Sequence, residues 1–450
     1  MSQVGWSLAS IVLGLGLVTA APSSPREGLD DLAQAIVDDA WQGGGWESGA
    51  VYVAIGEEEL FSAAFGVEPK DADEGATPVT PFRAAPMAHT FLATLVLQRC
   101  ANGDLSLDDE LGKHLPKLVG EHSEVRVRNL LNHTSGFADC GDLEDYSTLE
   151  AGPAWEYLYS VTKQPLITHP GECVAHTATD TLLVAALLEK LDGKHPGEWL
   201  QVALFDVAGM DASSYRVGDD EAQPTDAASD GEELRPQPFD LTRVYSSARD
   251  LARFQRSLVD FEFFGAADLR LMTSPTRLND GRMSPHGMGM RQISIAGSRG
   301  AIAGGLDAHG AVKLAYFPEH DLTVTVIGRG EDLDVDRLTN ALAALVIDAP
   351  EPALADRLLE PDAAEVFVGA YQIGCDTLYI TFDKGRLVLD NSIAGTFVLL
   401  NQGDHRFVAR ADHGIVLQFD VRGDRAKSFM LDDHGVQSVA TRFQDGGAER

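Results

Sequence analysis

The pattern of this chain changes once, at a proline-rich stretch, and that change divides it into two folding units. From Phe367 onward apolar and polar residues alternate over short runs, at 378–382, 386–390, 397–401, 406–409, 415–421, 428–432 and 438–443. Asp-Lys-Gly, Gly-Asp-His, Asp-His-Gly and Arg-Gly-Asp turns separate these runs. Successive side chains of a strand point to opposite faces, so this period buries one face only, and short strands at this spacing predict a small β-barrel or sandwich. Upstream of Asp348-Ala349-Pro350-Glu351-Pro352 the pattern differs. Leu29, Leu32, Ile36 and Ala40 share one helical face. Residues 49–55 and 59–66 read as a strand hairpin. Residues 90–100 are apolar nearly all round, which suits a helix buried at the centre of a domain, and Asn102-Gly103 stops it. Helices follow at 181–191 and 247–259, strands at 311–317 and 322–327, and a last helix at 338–347. Helix and strands, a long helical insert, then strands and a helix make an α+β pattern with a helical subdomain.

The chain has 450 residues and a formal charge of −34, with a pI near 4.6. That field repels phosphate backbones and anionic lipid heads, which argues against nucleic-acid and membrane-surface partners. The acidity reads either as plain solvation or as adaptation to high salt, since Lys is scarce beside Arg. Residues 7–21, SLASIVLGLGLVTAA, form an apolar run, and Val18-Thr19-Ala20 suits a signal-peptidase site. Export to the periplasm or exterior, with residues 1–20 removed, is the expectation; MSQVGW carries no Lys or Arg, and the alternatives are a short anchor or a misplaced start. No later segment is long and apolar enough to span a membrane. No pair among Cys100, Cys140, Cys173 and Cys375 has metal-ligand spacing. Cys375 lies in the second unit and is expected to stay free.

Chemistry concentrates before the buried helix, in Phe82-Arg83-Ala84-Ala85-Pro86-Met87-Ala88-His89-Thr90-Phe91. This segment resembles the Phe-Arg-x-Ala-Ser-x-x-Lys-Thr-Phe block of the serine β-lactamase and penicillin-binding-protein family, in its class C-like, D,D-peptidase and esterase branch. Further blocks match in order and spacing over residues 29–347. They include Ala64-Phe65-Gly66, Asp104-Leu105-Ser106-Leu107-Asp108-Asp109, Leu130-Leu131-Asn132-His133-Thr134-Ser135-Gly136, Pro170-Gly171-Glu172, the segment 247–254 and Leu314-Ala315-Tyr316-Phe317-Pro318-Glu319. The resemblance implies a β-lactamase/transpeptidase-like fold over residues 21–347, with an antiparallel sheet flanked by helices plus a helical subdomain. After a linker at 348–362, residues 363–445 resemble the lipocalin-like barrel often appended to such proteins. The resemblance also places Cys140 and Cys173 beside one cleft, where they could pair; four unpaired thiols is the equal alternative.

Active members of the family need three motifs, and the resemblance implies that each is degenerate here. In Ser-x-x-Lys at a helix start, the spacing puts the amine on the hydroxyl's face to take its proton. Pro86 stands at the serine position and His89 at the lysine position. Proline supplies neither a hydroxyl nor a backbone N–H, and the nucleophile's N–H is normally one oxyanion donor in this family. One such donor is worth on the order of 10²–10³ in rate. The helix need not suffer, because proline is tolerated in a first turn. The Tyr-x-Asn motif reads His176-Thr177-Ala178. The Lys-Thr-Gly or His-x-Gly motif reads Ala303-Gly304-Gly305, expected just before the strand at Ala311. Pro86, His89, His176, Ala178, Ala303 and Gly305 are thus expected to line a pocket without catalytic groups.

The expected function is that of a β-lactamase-related protein that has lost catalysis and is kept as a ligand-binding or regulatory pseudoenzyme. Its ligand would be a small acyl, peptide or cell-wall-like molecule. The alternative is a working esterase-like or D,D-peptidase-like hydrolase with a relocated nucleophile or a histidine-bound metal. Ser160, in a literal Ser-x-x-Lys, and Ser135, in a block that is a structural turn in the family, are the substitute nucleophiles considered. His89, His176 and His309 are the imidazoles that could share a metal or do acid–base work; the competing reading is drift in a polar pocket. No cofactor is expected.

Overall fold

A computed structural model describes residues 28–43, 45–67, 75–139, 161, 163–215, 243–307, 310–331, 333–348, 354–391, 395–410 and 412–443. The first unit is built on a six-stranded antiparallel sheet. Its strands are β1 (Trp46–Ile55), β2 (Glu58–Gly66), β3 (Arg291–Ile295), β4 (Ser298–Asp307), β5 (Gly310–Phe317) and β6 (Leu322–Gly330), in the order β2-β1-β6-β5-β4-β3. The central strands are apolar on both faces: Val51, Val53, Ala311, Ala315, Val324 and Val326 face one way, and Ala50, Val312, Leu314 and Ile327 face the other. Helices α1 (Leu29–Gln42) and α5 (Val335–Ile347) cover the first face. The helical subdomain packs on the second face through α2 (Ala88–Asn102), α3 (Ala178–Asp192) and α4 (Ala248–Val259). Phe91 of α2 is fully buried, edge-on to Phe205 at 5.6 Å and Phe254 at 5.0 Å. Thr177 caps α3 by accepting from the Asp180 N–H, and Ser247 caps α4 from Asp250.

The second unit is a closed eight-stranded antiparallel barrel. It runs β7 (Gly369–Ile373), β8 (Asp376–Asp383), β9 (Arg386–Asn391), β10 (Gly395–Gly403), β11 (Arg406–Ala409), β12 (Ile415–Arg422), β13 (Arg425–Asp433) and β14 (Val436–Arg442), with β14 paired back to β7. Closure removes the free edges that short strands would otherwise present. The first strand was not expected from the sequence: Gly369-Ala370-Tyr371-Gln372-Ile373 carries only two large apolar residues, and closure supplies its partners on both sides.

The cysteine expectation is corrected. Cys173, in the loop before α3, is bonded to Cys375 of the barrel, with Cα atoms 6.1 Å apart and 202 residues between them in sequence. Cys375 is therefore not free, and Cys173 cannot pair with Cys140, which lies outside the described residues. Cys100 is a free thiol. The bond is one of several ties across the seam between the units. Arg291 pairs with Asp433, the Gln292 side chain donates to the His434 carbonyl at 2.9 Å, and the Ser294 N–H donates to His434 Nδ1 at 3.0 Å. His434 Nδ1 also lies 3.2 Å from the Ser294 carbonyl, and its Nε2 lies 2.9 Å from Asp412 Oδ2. Among the described residues no helix is long and apolar enough to cross a membrane.

Candidate functional site

The two units enclose a cleft of about 940 Å³. Its floor is the start of α2. A short 3-10 turn, Ala85–Met87, leads into the helix with Pro86 in its first positions. Proline's fixed φ suits this position, where an N–H would have no helical partner. Pro86 is half-buried and faces the cleft. Opposite it runs β4. Strand β3 pairs with β4 only as far as Ile302, so the stretch holding Ala303, Gly304 and Gly305 has an open edge on that side. A Cβ added at Gly305 would lie 3.9 Å from Pro86 Cβ, so Pro86 and Gly305 face one another. Gly304 has φ +92°, and a Cβ there would meet the Val312 carbonyl oxygen at 2.2 Å. Glycine is therefore required to pass this point in the strand. The third motif was expected in the approach to the strand at Ala311; it lies within a ten-residue strand of its own, hairpin-paired to that one.

His89 and His176 line the same cleft, and two further histidines join them. The ring of His89 lies 4.1 Å from that of His133, His133 lies 4.3 Å from His176, and His176 lies 4.5 Å from His286. The result is a column of four imidazoles. His133 comes from the His-Thr-Ser-Gly turn, where it holds φ +58°. His286 comes from the loop before β3. Neither was singled out from the sequence. No spacing connects four residues spread over almost two hundred positions, and only the fold brings them together.

Hydrogen bonds fix the column at its inner end. His89 sets Nδ1 3.1 Å from Thr181 Oγ1 and Nε2 3.1 Å from the Leu131 carbonyl. A carbonyl only accepts, so Nε2 carries the proton and Nδ1 accepts from the threonine hydroxyl. His133 Nδ1 lies 3.3 Å from Asp180 Oδ2, and Ser135 Oγ donates to the other oxygen of that carboxyl. Burial pushes the pKa of His89 down to about 3 and that of His133 down to about 4, with His133 adding to the effect on His89. His286 is held well below the usual imidazole range by burial, then by His176 and Arg291. His176 opens its ring to the cavity, yet protein surrounds that cavity. Enclosure, then the neighbouring His133 and His89, hold it well below the usual range too. Burial also raises the Asp180 carboxyl to about 8, against the opposing pull of Ser135. The column is neutral near pH 7.

This arrangement does not make a metal centre from His89. Both of its ring nitrogens are engaged, and among the described residues no group of three or more His, Cys, Asp or Glu side chains is placed to hold a metal ion. His309 lies outside the described residues, as does Ser160. Ser135 is buried, bonded to Asp180, and absent from the cleft wall. Ala178 lines the cleft at the start of α3, its N–H donating to Asp139. Two serines on the wall, Ser284 and Ser438, were not singled out from the sequence. Ser284 Oγ lies 3.2 Å from His286 Nδ1 and also accepts from the His286 N–H at 3.2 Å.

The family model that matches the chain is Beta-lactamase, over residues 33–349. The chain belongs to that family. Penicillin-binding protein 4* of Bacillus subtilis (strain 168) is 23% identical over 434 residues, which cover 88% of this chain and 95% of the relative. Among solved structures, an octameric penicillin-binding protein homologue from Pyrococcus abyssi matches with a TM-score of 0.62 at 18% identity, covering 91% of this chain and 99% of that one. A structure of SurE with D-Leu matches with a TM-score of 0.59 at 22% identity, covering 93% and 99%. The fold expected from the motif blocks is thus the fold of the family, followed by the barrel.

Proposed function

We propose that this protein is a non-catalytic member of the Beta-lactamase family whose cleft binds a small acyl, peptide or cell-wall-like ligand without bonding to it covalently. The observation that carries the reading is Pro86 at the helix start, facing the open edge of β4. That position offers no hydroxyl to attack a carbonyl and no N–H to hold an oxyanion. His89 adds a second reason. It sits where the resemblance places the base, but its ring nitrogens are engaged by Thr181 and Leu131. Ala178 and Ala303 bring no functional group to the other two motif positions. Binding and bond breaking depend on different groups, so the pocket outlives the nucleophile. Export belongs to the same proposal: the apolar run at 7–21 and the Cys173–Cys375 bond both suit an oxidising compartment.

The test is intact-mass analysis after incubation with a fluorescent penicillin and, separately, a fluorophosphonate. No adduct is expected with either. A second reading has one observation in its favour, the Ser284–His286 contact on the cleft wall. An adduct mapped to Ser284, and lost in Ser284→Ala, would establish a rebuilt hydrolase and overturn the first reading. The local N–H to Oγ bond from His286 favours a structural turn instead.

A further inference from the structure

The cleft continues past the histidine column to the end of the barrel. Its far wall is apolar, formed in part by Ile373, Leu378, Leu389, Phe397, Ile415 and Leu431. These residues come from one end of the barrel: Ile373 closes β7, Ile415 opens β12, and Leu389 sits opposite Phe397. Deeper in, the barrel is filled by its own rings. Tyr371, Phe407, Phe419 and Phe429 contact one another at centroid separations of 4.9 to 5.9 Å, and none of them lines the cavity. Only the outermost layer of barrel side chains is therefore open, which leaves room for a short apolar group. Barrel mouths are recurrent sites for such ligands.

Carboxylates from both units line the same cavity, three from the first unit and three from the barrel. Asp307, Asp334, Asp336, Asp376, Asp412 and Asp433 line the cavity, against three cationic side chains. Each cation already faces a carboxylate: Arg291 faces Asp433, Lys313 faces Asp336 at 2.7 Å, and Arg282 faces Asp280 at 2.5 Å. The imidazoles are neutral, and His89, with both ring nitrogens engaged by Thr181 and Leu131, offers none to a ligand. Asp433 and Asp336 are two of the cations' partners and Asp412 faces His434, but six carboxylates against three cations leave the lining net negative, which favours an ammonium over an anion, and the net charge of −34 reinforces that field.

We propose that the seam between cleft and barrel mouth binds a primary amine with a short apolar tail, its ammonium against the carboxylate and imidazole wall and its tail among the barrel-mouth side chains. This rests on the reading of the cleft as a ligand-binding site and names the chemistry that site selects. The tail needs the second unit, so the disulfide and the Arg291–Asp433 pair hold half of the binding site in place.

The experiment is calorimetric titration of the full-length chain with hexylamine, methylamine and hexanoate at neutral pH and constant ionic strength. Hexylamine is expected to bind at least about tenfold more tightly than either of the others, since burying two methylenes alone accounts for about that factor. Phe397→Ser and Leu431→Asn, both at half-buried rim positions, should weaken hexylamine about tenfold and leave methylamine unchanged. Near-ultraviolet circular dichroism checks that each variant is folded, and either one alone carries the test. Asp307→Asn combined with Asp376→Asn should shrink the preference for amine over carboxylate. Equal binding of hexanoate overturns the assignment of the head, equal binding of methylamine overturns that of the tail, and no heat with any probe overturns the proposal whole. The penicillin adduct reports separately on catalysis: an adduct with hexylamine selectivity intact would remove the non-catalytic reading and leave the ligand class standing.

Discussion

The sheet lies in the first unit and the cleft between the two units, and the two are built from different kinds of residue. The sheet keeps an unbroken antiparallel ladder from β2 to β3, with Val51, Val324 and Val326 fully buried. A few residues away, the cleft is lined by Pro86, His89, His176, Ala178 and Ala303, the positions where the proposed reading finds the family's catalytic side chains missing. Stability comes chiefly from buried apolar area and from paired backbone groups, and neither depends on the chemical function of the side chains that line a cleft. Fold and chemistry can therefore part company, and perturbing each region should have unequal effects.

The largest effect should come from the core. Phe91→Ala removes a ring with no exposed surface that lies between Phe205 and Phe254, and is expected to destabilise by about 3–5 kcal/mol. Chemical denaturation measures it, and a loss below about 1 kcal/mol would mean the helical subdomain is not packed as described.

Next comes the bond between the units. Removing Cys173–Cys375 by a Cys375→Ser substitution should cost about 2–4 kcal/mol. Calorimetry should then resolve barrel and sheet domain as separate transitions, where the bonded protein unfolds with the two more closely coupled. An unchanged profile would show that the seam does not depend on this bond.

A smaller effect lies in the pH dependence. His89 and His133 have folded pKa values lowered to about 3 and 4, from 6.5. The unfolded chain takes up these protons below pH 6.5 while the folded chain does not. Their contribution to stability is full above pH 6.5 and is lost as pH falls toward 4 and then 3. Asp180, raised to about 8 from 3.8, runs the other way: its contribution is full below 3.8 and is lost as pH rises to about 8. His89→Gln should therefore flatten the loss of stability between pH 6.5 and 4. An equally steep acid limb in the variant would contradict the neutral, buried column.

The smallest effect is expected where the family's chemistry is normally most concentrated. Pro86→Ser should change stability by less than about 1 kcal/mol, because Pro86 is half-buried at a helix start that accepts either residue. A cost comparable to that of Phe91→Ala would erase the contrast between core and cleft.

Much of the fold was legible in the sequence, for physical reasons. The Phe82–Phe91 block, the apolar run of α2 and the turn-separated strands of the barrel are local patterns, and local patterns survive reading one residue at a time. Strand β4 was missed because Gly300, Gly304 and Gly305 interrupt the alternation that marks a strand; at Gly300 and Gly304 the backbone of the neighbouring strand β5 comes too close for a side chain. The Cys173–Cys375 bond was missed because a separation of 202 residues says nothing about proximity. His133 and His286 were missed for the same reason: each looks like an ordinary turn residue until the fold brings it against His176.

The central claim is that a β-lactamase fold here carries no working nucleophile. The most direct test is turnover of nitrocefin and of p-nitrophenyl acetate by the purified chain, in metal-free and in zinc-supplemented buffer. Rates at the buffer background in all conditions are the predicted result. Turnover that persists through repeated purification and disappears in Ser284→Ala would contradict the claim and move the reaction to the histidine wall.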